Sequence, residues 1–241
     1  MRVLDEAPQL IAELDPSVAQ AAREHCVARK ALLEEGRWVP PSDGEARRGW
    51  LGLLVLDGLL ARAVDIRGLR AQELLGPGDV LRPWDDESEL GPVPAATAWT
   101  VLQPTTIALL DRRFTIAAAR WPGIMPALLR ASVQRSHSRS LLLAVAQARR
   151  ADHRLLLLFS HLADRWGRVT PAGVWLPLRL THERLGELVC LRRPTVSMTL
   201  RDLRDRGELG RRPDGSWFLP GPAWERLRQW APEPEDSLCQ P

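Results

Sequence analysis

The 241-residue chain carries 33 Lys and Arg against 30 Asp and Glu, a formal net charge of +3, with 45% hydrophobic residues and only three cysteines. That length and apolar content suffice for two modest domains, and a pI near 9.2 permits an anionic partner without demanding one. Cys26, Cys190 and Cys239 show no C-x-x-C spacing, which argues against a zinc site, a cysteine-held cluster or a disulfide framework.

Lys30 is the only lysine. Arginine therefore supplies nearly all the positive charge, and its planar fork suits phosphate and guanine. The first residues, MRVLDEAPQL, lack an apolar core of signal-peptide length, and the most apolar run, 155–159, is far too short to span a bilayer. A soluble, cytoplasmic protein is expected.

Residues 1–35 show a weak helical pattern. From Arg37 to Asp111 the pattern changes to short apolar runs broken by glycine and proline. Asp57-Gly58 between two such runs signals a hairpin. A turn is expected at GPGD (76–79), and strands at ATAWTVL and TTIALLD. Closely spaced short strands suggest a sandwich or barrel rather than a parallel sheet. Near Arg112 the pattern becomes helical. Residues 124–150 hold no glycine, and Pro126 falls in the first turn, where proline is tolerated. About 25 residues of such a helix would run roughly 37 Å, longer than a small domain needs for its own core. Its polar middle, Ser132 to Ser140, interrupts a seam for which Leu128, Leu129, Leu141, Leu142 and Val145 are the best apolar contacts.

ADHRLLLLFSHLADRW reads as a further helix stopped by Gly167, and VTPAGVWLPLRL as a hairpin turning at Ala172-Gly173. Then comes THERLGELVCLRRPTVSMTLRDL. Thr181 suits an N-cap, and Leu185, Leu188 and Val189 share one helical face. Gly186 suggests close approach by a neighbouring helix. A second helix starts near Arg193, with Pro194 in its first turn and Val196, Leu200 and Leu203 as its buried stripe. Two arginines at that helix start oppose the macrodipole, so an external anion is expected to compensate them. Seven arginines against three acids lie between 192 and 212. LGRRPDGSWFLPG is a second hairpin turning at Pro213-Asp214-Gly215, and the acidic, proline-rich tail is expected to be disordered.

This order resembles the winged helix-turn-helix of the CRP/FNR transcription regulators. Thr181, Leu185, Gly186, Leu188, Val189, Thr195, Val196, Leu200 and Leu203 match that family's pattern. Arg193 falls where the family has its base-reading arginine. Arg192 replaces a small capping residue, Met198 a second arginine, and Cys190 the turn glycine. The resemblance implies an α+β chain: an N-terminal cyclic-nucleotide-binding-like β-roll (1–120), a long dimerisation helix (121–150), a winged helix-turn-helix domain (151–232) and a tail (233–241). It implies a homodimer on palindromic double-stranded DNA, with RNA polymerase as a further partner. Arg193 would read a guanine edge. Thr181, Arg192, Arg211 and Arg212 would contact phosphate. Thr195, Ser197, Met198 and Arg201 complete the surface toward the groove.

Cyclic-nucleotide-binding relatives carry Gly-Glu shortly after the GD turn and Arg-Ser or Arg-Thr later. Here those positions read Arg82-Pro83 and Ala96. A buried phosphate without a cation is strongly disfavoured, so binding of cyclic AMP by that mode is not expected, and the effector is unknown. The cysteine cluster of the iron–sulfur members is absent too. No catalytic constellation, cofactor fingerprint or metal set stands out. Acids 85–89 read as a surface loop, and the histidines as packing and surface residues. Two other readings keep the roll as a ligand-free scaffold or docking module, or make the acids at 85–89 and a histidine a metal-dependent enzyme.

Overall fold

A computed structural model describes residues 1–41, 47–85 and 95–229. The chain divides into two compact units, Met1–Leu143 and Ala144–Pro241.

The first unit opens with short helices, α1 (Val3–Glu6) and α2 (Pro16–His25), separated by a 3-10 turn at Pro8–Ile11. The helical pattern expected through residue 35 stops earlier. Cys26, fully buried, closes α2 by bonding Ala22, and the chain then becomes strand β1 (Arg29–Leu33). β1 is captured by a long antiparallel partner, with Arg29 opposite Leu109 and Leu33 opposite Thr105. Ladder pairing outweighs the local helical preference there. Lys30 sits exposed on β1 opposite Ala108.

β2 (Gly36–Trp38) is followed by β3 (Gly52–Ile66), a single 15-residue strand. The hairpin expected at Asp57-Gly58 is not there. The pair marks a set of register shifts in β3 opposite Gln103–Thr106 of β6 (Ala96–Leu110), itself one continuous strand rather than two. Gly58 has φ +93°, and a Cβ there would lie 2.4 Å from the Pro104 carbonyl oxygen. The glycine is thus required by a bulge that presses on a neighbouring strand, not by a chain reversal. The reversal comes at Arg67-Gly68, both at positive φ, the signature of a tight primed turn. It leads into β4 (Leu69–Leu75), with Ile66 opposite Leu69.

The expected turn at 76–79 is present. Buried Asp79 accepts the Gly76 N–H at 2.9 Å, and β5 (Val80–Leu81) then pairs with β3. The all-antiparallel sheet runs β1-β6-β3-β4, with β2 on β6 and β5 on β3. One core gathers the N-terminal helices against Leu54, Ala108, Leu110 and Phe114. A second gathers Leu53, Leu60, Leu75, Trp84, Trp99 and Val101. Complete burial of side chains such as Phe114 contributes about 1.5–3 kcal/mol each. Asp111 caps α3 (Arg112–Ala118), accepting from the amides of Arg113 and Phe114.

α4 (Ile124–Gln147) has 24 residues, about 36 Å of helix. Ile124, Ala127 and Leu128 join the first core. Farther along, Arg135 and Arg139 both reach Glu73 of β4, at 2.7 Å each.

In the second unit α5 (Ala151–Trp166) ends at Gly167, as expected. The hairpin β7 (Arg168–Thr170) and β8 (Gly173–Leu176) follows, then α6 (His182–Val189) and α7 (Arg193–Asp205). A second hairpin, β9 (Gly210–Arg211) and β10 (Trp217–Pro220), completes a sheet ordered β7-β8-β10-β9. Phe159 of α5 packs on Trp217, ring centroids 4.9 Å apart. A closing helix, α8 (Gly221–Gln229), has no counterpart in the sequence expectations. It forms because buried Ala223 lets it pack against α5 and β8, with Pro222 in the tolerated first turn. The expected disordered tail lies outside the described residues.

Candidate nucleic-acid interface

α6 begins at the expected cap. Thr181 Oγ1 accepts the Arg184 amide at 3.3 Å. Leu185 and Val189 are fully buried and Leu188 nearly so. Cys190 closes the helix in the left-handed region at φ 55°, ψ 45°. That conformation costs an L-residue about 1–2 kcal/mol, which is why a glycine suits it.

Gly186 does make room for a close approach, but chiefly for the turn rather than for the next helix. A Cβ would fall 2.4 Å from the Leu191 carbonyl oxygen and 3.5 Å from Val196 Cγ2. The Leu191 amide in turn donates to the Gly186 carbonyl at 2.9 Å. This folded-back turn fixes where α7 starts.

α7 buries Val196, Leu200 and Leu203 as expected, and Thr199 with them, its hydroxyl bonded to the Thr195 carbonyl. Arg192 occupies the N-cap position with no capping side chain, and the first turn holds no acid. Arg192, Arg193 and Pro194 are exposed and Thr195 half-buried. Among the described residues neither guanidinium, Arg192 nor Arg193, has a hydrogen-bond or ion-pair partner. Met198 stands 67% exposed on the same helix, an apolar side chain held in water. Arg201 is exposed, with only a 3.9 Å approach to Asp205. Such an exposed pair contributes little.

Ser197 is half-buried, donates to the Arg193 carbonyl at 3.0 Å and contacts His182 Nδ1 at 2.9 Å. Its hydroxyl is thus committed within the helix pair. His182 is the residue that sequence reasoning passed over. The available signal was its place directly after the cap, one turn before the buried face of α6.

The second hairpin is built as a stiff wing. Asp214 Oδ1 accepts both the amide and the hydroxyl of Ser216, and these bonds hold its carboxyl below the usual range. The Gly215 amide bonds the Arg212 carbonyl, and Gly215 sits at φ +85°. The two arginines at the wing's base rest on aromatic faces. Arg211 lies 5.3 Å over Trp217, and Arg212 lies 5.3 Å over Trp175 and 5.7 Å over Phe218. Stacking leaves the guanidinium edges open to donate while restricting their rotamers. Thr181, Arg192, Arg193, Met198, Arg201, Arg211 and Arg212 therefore lie on exposed parts of α6, α7 and the wing.

In the first unit the positions of the nucleotide-binding pairs are differently used. Arg82 binds Asp85 and the Trp50 carbonyl, and lies 5.6 Å over Trp84. Ala96 begins β6 opposite Asp65, exposed. Indoles crowd this part of the roll: Trp38 on Trp99 at 5.5 Å and Trp50 on Trp84 at 6.1 Å, both edge-on. The acids at 86–89 lie outside the described residues. Among the described residues no cluster of three metal-ligating side chains occurs, and no helix is long and apolar enough to cross a membrane.

Residues 150–221 match the Crp-like helix-turn-helix domain. A mutant of CooA from Carboxydothermus hydrogenoformans is similar in structure at TM-score 0.62 and 18% identity, covering 95% of this chain and 94% of that one. A cyclic nucleotide-binding domain containing protein from Listeria monocytogenes is similar at TM-score 0.65 and 15% identity, over 84% and 95%. A transcriptional regulator of the CRP/FNR family from Thermus thermophilus is similar at TM-score 0.56 and 18% identity, over 84% and 99%. No curated protein matches the chain. The chain thus has the fold of the CRP/FNR-type regulators, a β-roll, a long helix and a winged helix-turn-helix, and its C-terminal domain is of the Crp-like kind.

Proposed function

We propose that the protein is a homodimeric, sequence-specific DNA-binding transcription regulator of the CRP/FNR type. The observation that carries this reading is the start of α7. Two arginines without a partner among the described residues stand where the helix dipole disfavours them, on an exposed end of a Crp-like recognition helix. A DNA phosphate or a guanine edge supplies the missing anion or acceptor. Arg193 reads a base, and Arg192, Thr181, Arg211 and Arg212 hold phosphates. Thr195, Met198 and Arg201 line the groove, with Ser197 contributing through its bonds inside the helix pair.

Selection of bound duplexes from a random pool tests this. A palindromic motif with half-sites about 10 base pairs apart is expected. Arg193→Ala should relax preference at one symmetric base pair per half-site, a loss of about 1–3 kcal/mol of discrimination. Arg192→Ala should weaken all duplexes alike and lower the salt slope by about 1 per site. An unchanged motif at full stringency from the Arg193→Ala protein overturns the base-reading role.

The roll does not hold cyclic AMP or cyclic GMP in the familiar way, since Ala96 offers no guanidinium and Arg82 is bound to Asp85. Calorimetry should show no binding tighter than about 10 µM for either nucleotide. A roll without ligand, serving as dimer scaffold or docking module, is a second reading, favoured by the packed indoles of the second core.

A further inference from the structure

The imidazole of His182 bridges the two helices of the recognition pair, and the proton count at that bridge is fixed. Ser197 Oγ lies 3.0 Å from the Arg193 carbonyl and 2.9 Å from His182 Nδ1. A carbonyl can only accept, so it takes the single hydroxyl proton of Ser197. His182 Nδ1 must then carry its own proton and donate to Ser197 Oγ. In the neutral ring this leaves Nε2 as a bare acceptor, and in the charged ring Nε2 becomes a donor. Among the described residues Nε2 has no partner.

His182 and Ser197 line a recess of about 190 Å³ between α7 and the wing. Arg201 and Arg204 of α7 and Arg211 of β9 line it too, and no carboxylate is among its lining residues. Glu183, next along α6, is exposed. Burial of the ring, then the charges of Arg211 and Arg193, hold the His182 pKa below the usual imidazole range. A cavity walled by cations, with one titratable donor at its edge, matches a single phosphodiester anion better than an uncharged base edge.

We propose that this recess receives a DNA phosphate and that His182 donates to it through Nε2, taking up a proton as DNA binds. The inference rests on the DNA-binding reading above. In the free protein burial of the ring, reinforced by the neighbouring arginines, keeps it neutral near pH 7. A phosphate brought into the recess reverses the local field and favours the charged ring. Affinity therefore rises as pH falls through the His182 pKa of the complex, and stops rising below that of the free protein. The limiting slope is about tenfold per pH unit for each half-site.

The test uses the full chain, its selected duplex and an unrelated duplex, from pH 5.5 to 8.0 at constant salt. His182→Asn keeps a donor for Ser197 but cannot titrate. Wild type should bind both duplexes at least about fivefold more tightly at the acid end, a fraction of the one-proton limit. His182→Asn should give a flat profile and retain the selected motif. NMR titration of the His182 ring in wild type should show its pKa moving up on saturation with duplex. Equal slopes in both proteins, a flat wild-type profile, or a ring pKa unmoved by DNA overturns the proposal. The NMR outcome stands even where the variant folds poorly. Wild type that binds no duplex at any pH overturns the DNA-binding reading itself, a result distinct from pH-independent binding.

Discussion

Cys190 and Gly186 show how a single atom decides the geometry of the recognition pair. Cys190 holds φ 55° with a Cβ that the left-handed region disfavours. Replacing it by glycine removes about 1–2 kcal/mol of local strain and returns about 0.5–1 through the freer unfolded chain. Cys190→Gly should therefore stabilise the protein by about 0.5–1 kcal/mol in urea unfolding. Gly186→Ala should act oppositely. Its methyl would strike the Leu191 carbonyl oxygen at 2.4 Å, backbone that cannot move without shifting the start of α7. A loss of about 2 kcal/mol or more is expected, together with weakened DNA binding. Both positions were legible in the sequence, because a helix–turn–helix motif constrains them locally. The partner of Gly186 was not, since a carbonyl five residues on leaves no mark in side-chain pattern. His182 escaped for a related reason. Its chemistry comes from Ser197, fifteen residues away, and from an arginine on the wing.

At the scale of elements, α4 is tied to β4 by charge as well as joined to the first core through Ile124, Ala127 and Leu128. Glu73, with its side chain 12% exposed, takes a bidentate bond from Arg135 and another bond from Arg139. Burial alone would raise the Glu73 pKa, but the bonds from Arg135 and Arg139 outweigh it and the net displacement is downward from 4.5. A carboxyl depressed on folding adds stability that is fully present above its unfolded pKa. That stability is lost as pH falls through the folded value. Glu73→Gln should cost about 2 kcal/mol at pH 7. It should also flatten the acid limb of the stability curve below about pH 4.5. A variant with an unchanged acid limb would show that other carboxyls govern it. Strand-level reading of the sequence was right at the short turns, split the single strand β6 into two, and was wrong at Asp57-Gly58. The dipeptide's preference for positive φ is satisfied equally by a hairpin and by a bulge. Only the distant β6 chooses between them. The helix α8 was lost to its proline and glycine, which mark breaks until a packing surface is known.

For the whole molecule, the proposed homodimer would use an α4 seam that only partly overlaps the one read in the sequence, since Leu129 and Leu141 are exposed as that reading requires. Leu128 and Val145, 6% and 4% exposed, are spent within their own chain. Leu141 is exposed, and on the outward side Leu129, Val133, Ser136, Ser140 and Leu143 are spaced four, three, four and three. That is a heptad seam with a serine waist, and small residues there let two helices approach closely. Leu129, Val133 and Leu143 are 65%, 44% and 70% exposed. Val133→Glu should convert the dimer to monomer at micromolar concentration in sedimentation and lower affinity for a palindromic duplex. A persistent dimer would move the interface off this face. The sequence pattern carried the class of the fold because hydrophobic period, turn chemistry and the helix-turn-helix motif agree. It could not say which apolar residues of a long helix are taken by the chain's own core, because Leu128 joins a cluster assembled from residues far away in sequence.

Lys30, exposed on β1 opposite Ala108, has a practical consequence. Amine-directed acylation has one side-chain target in this chain, on the roll, while every basic residue from 150 to 229 is arginine or histidine. A fluorophore or surface tether attached through that amine leaves the recognition helix and the wing chemically untouched. The protein can thus be immobilised by the roll with its arginine surface free, as single-molecule binding measurements require.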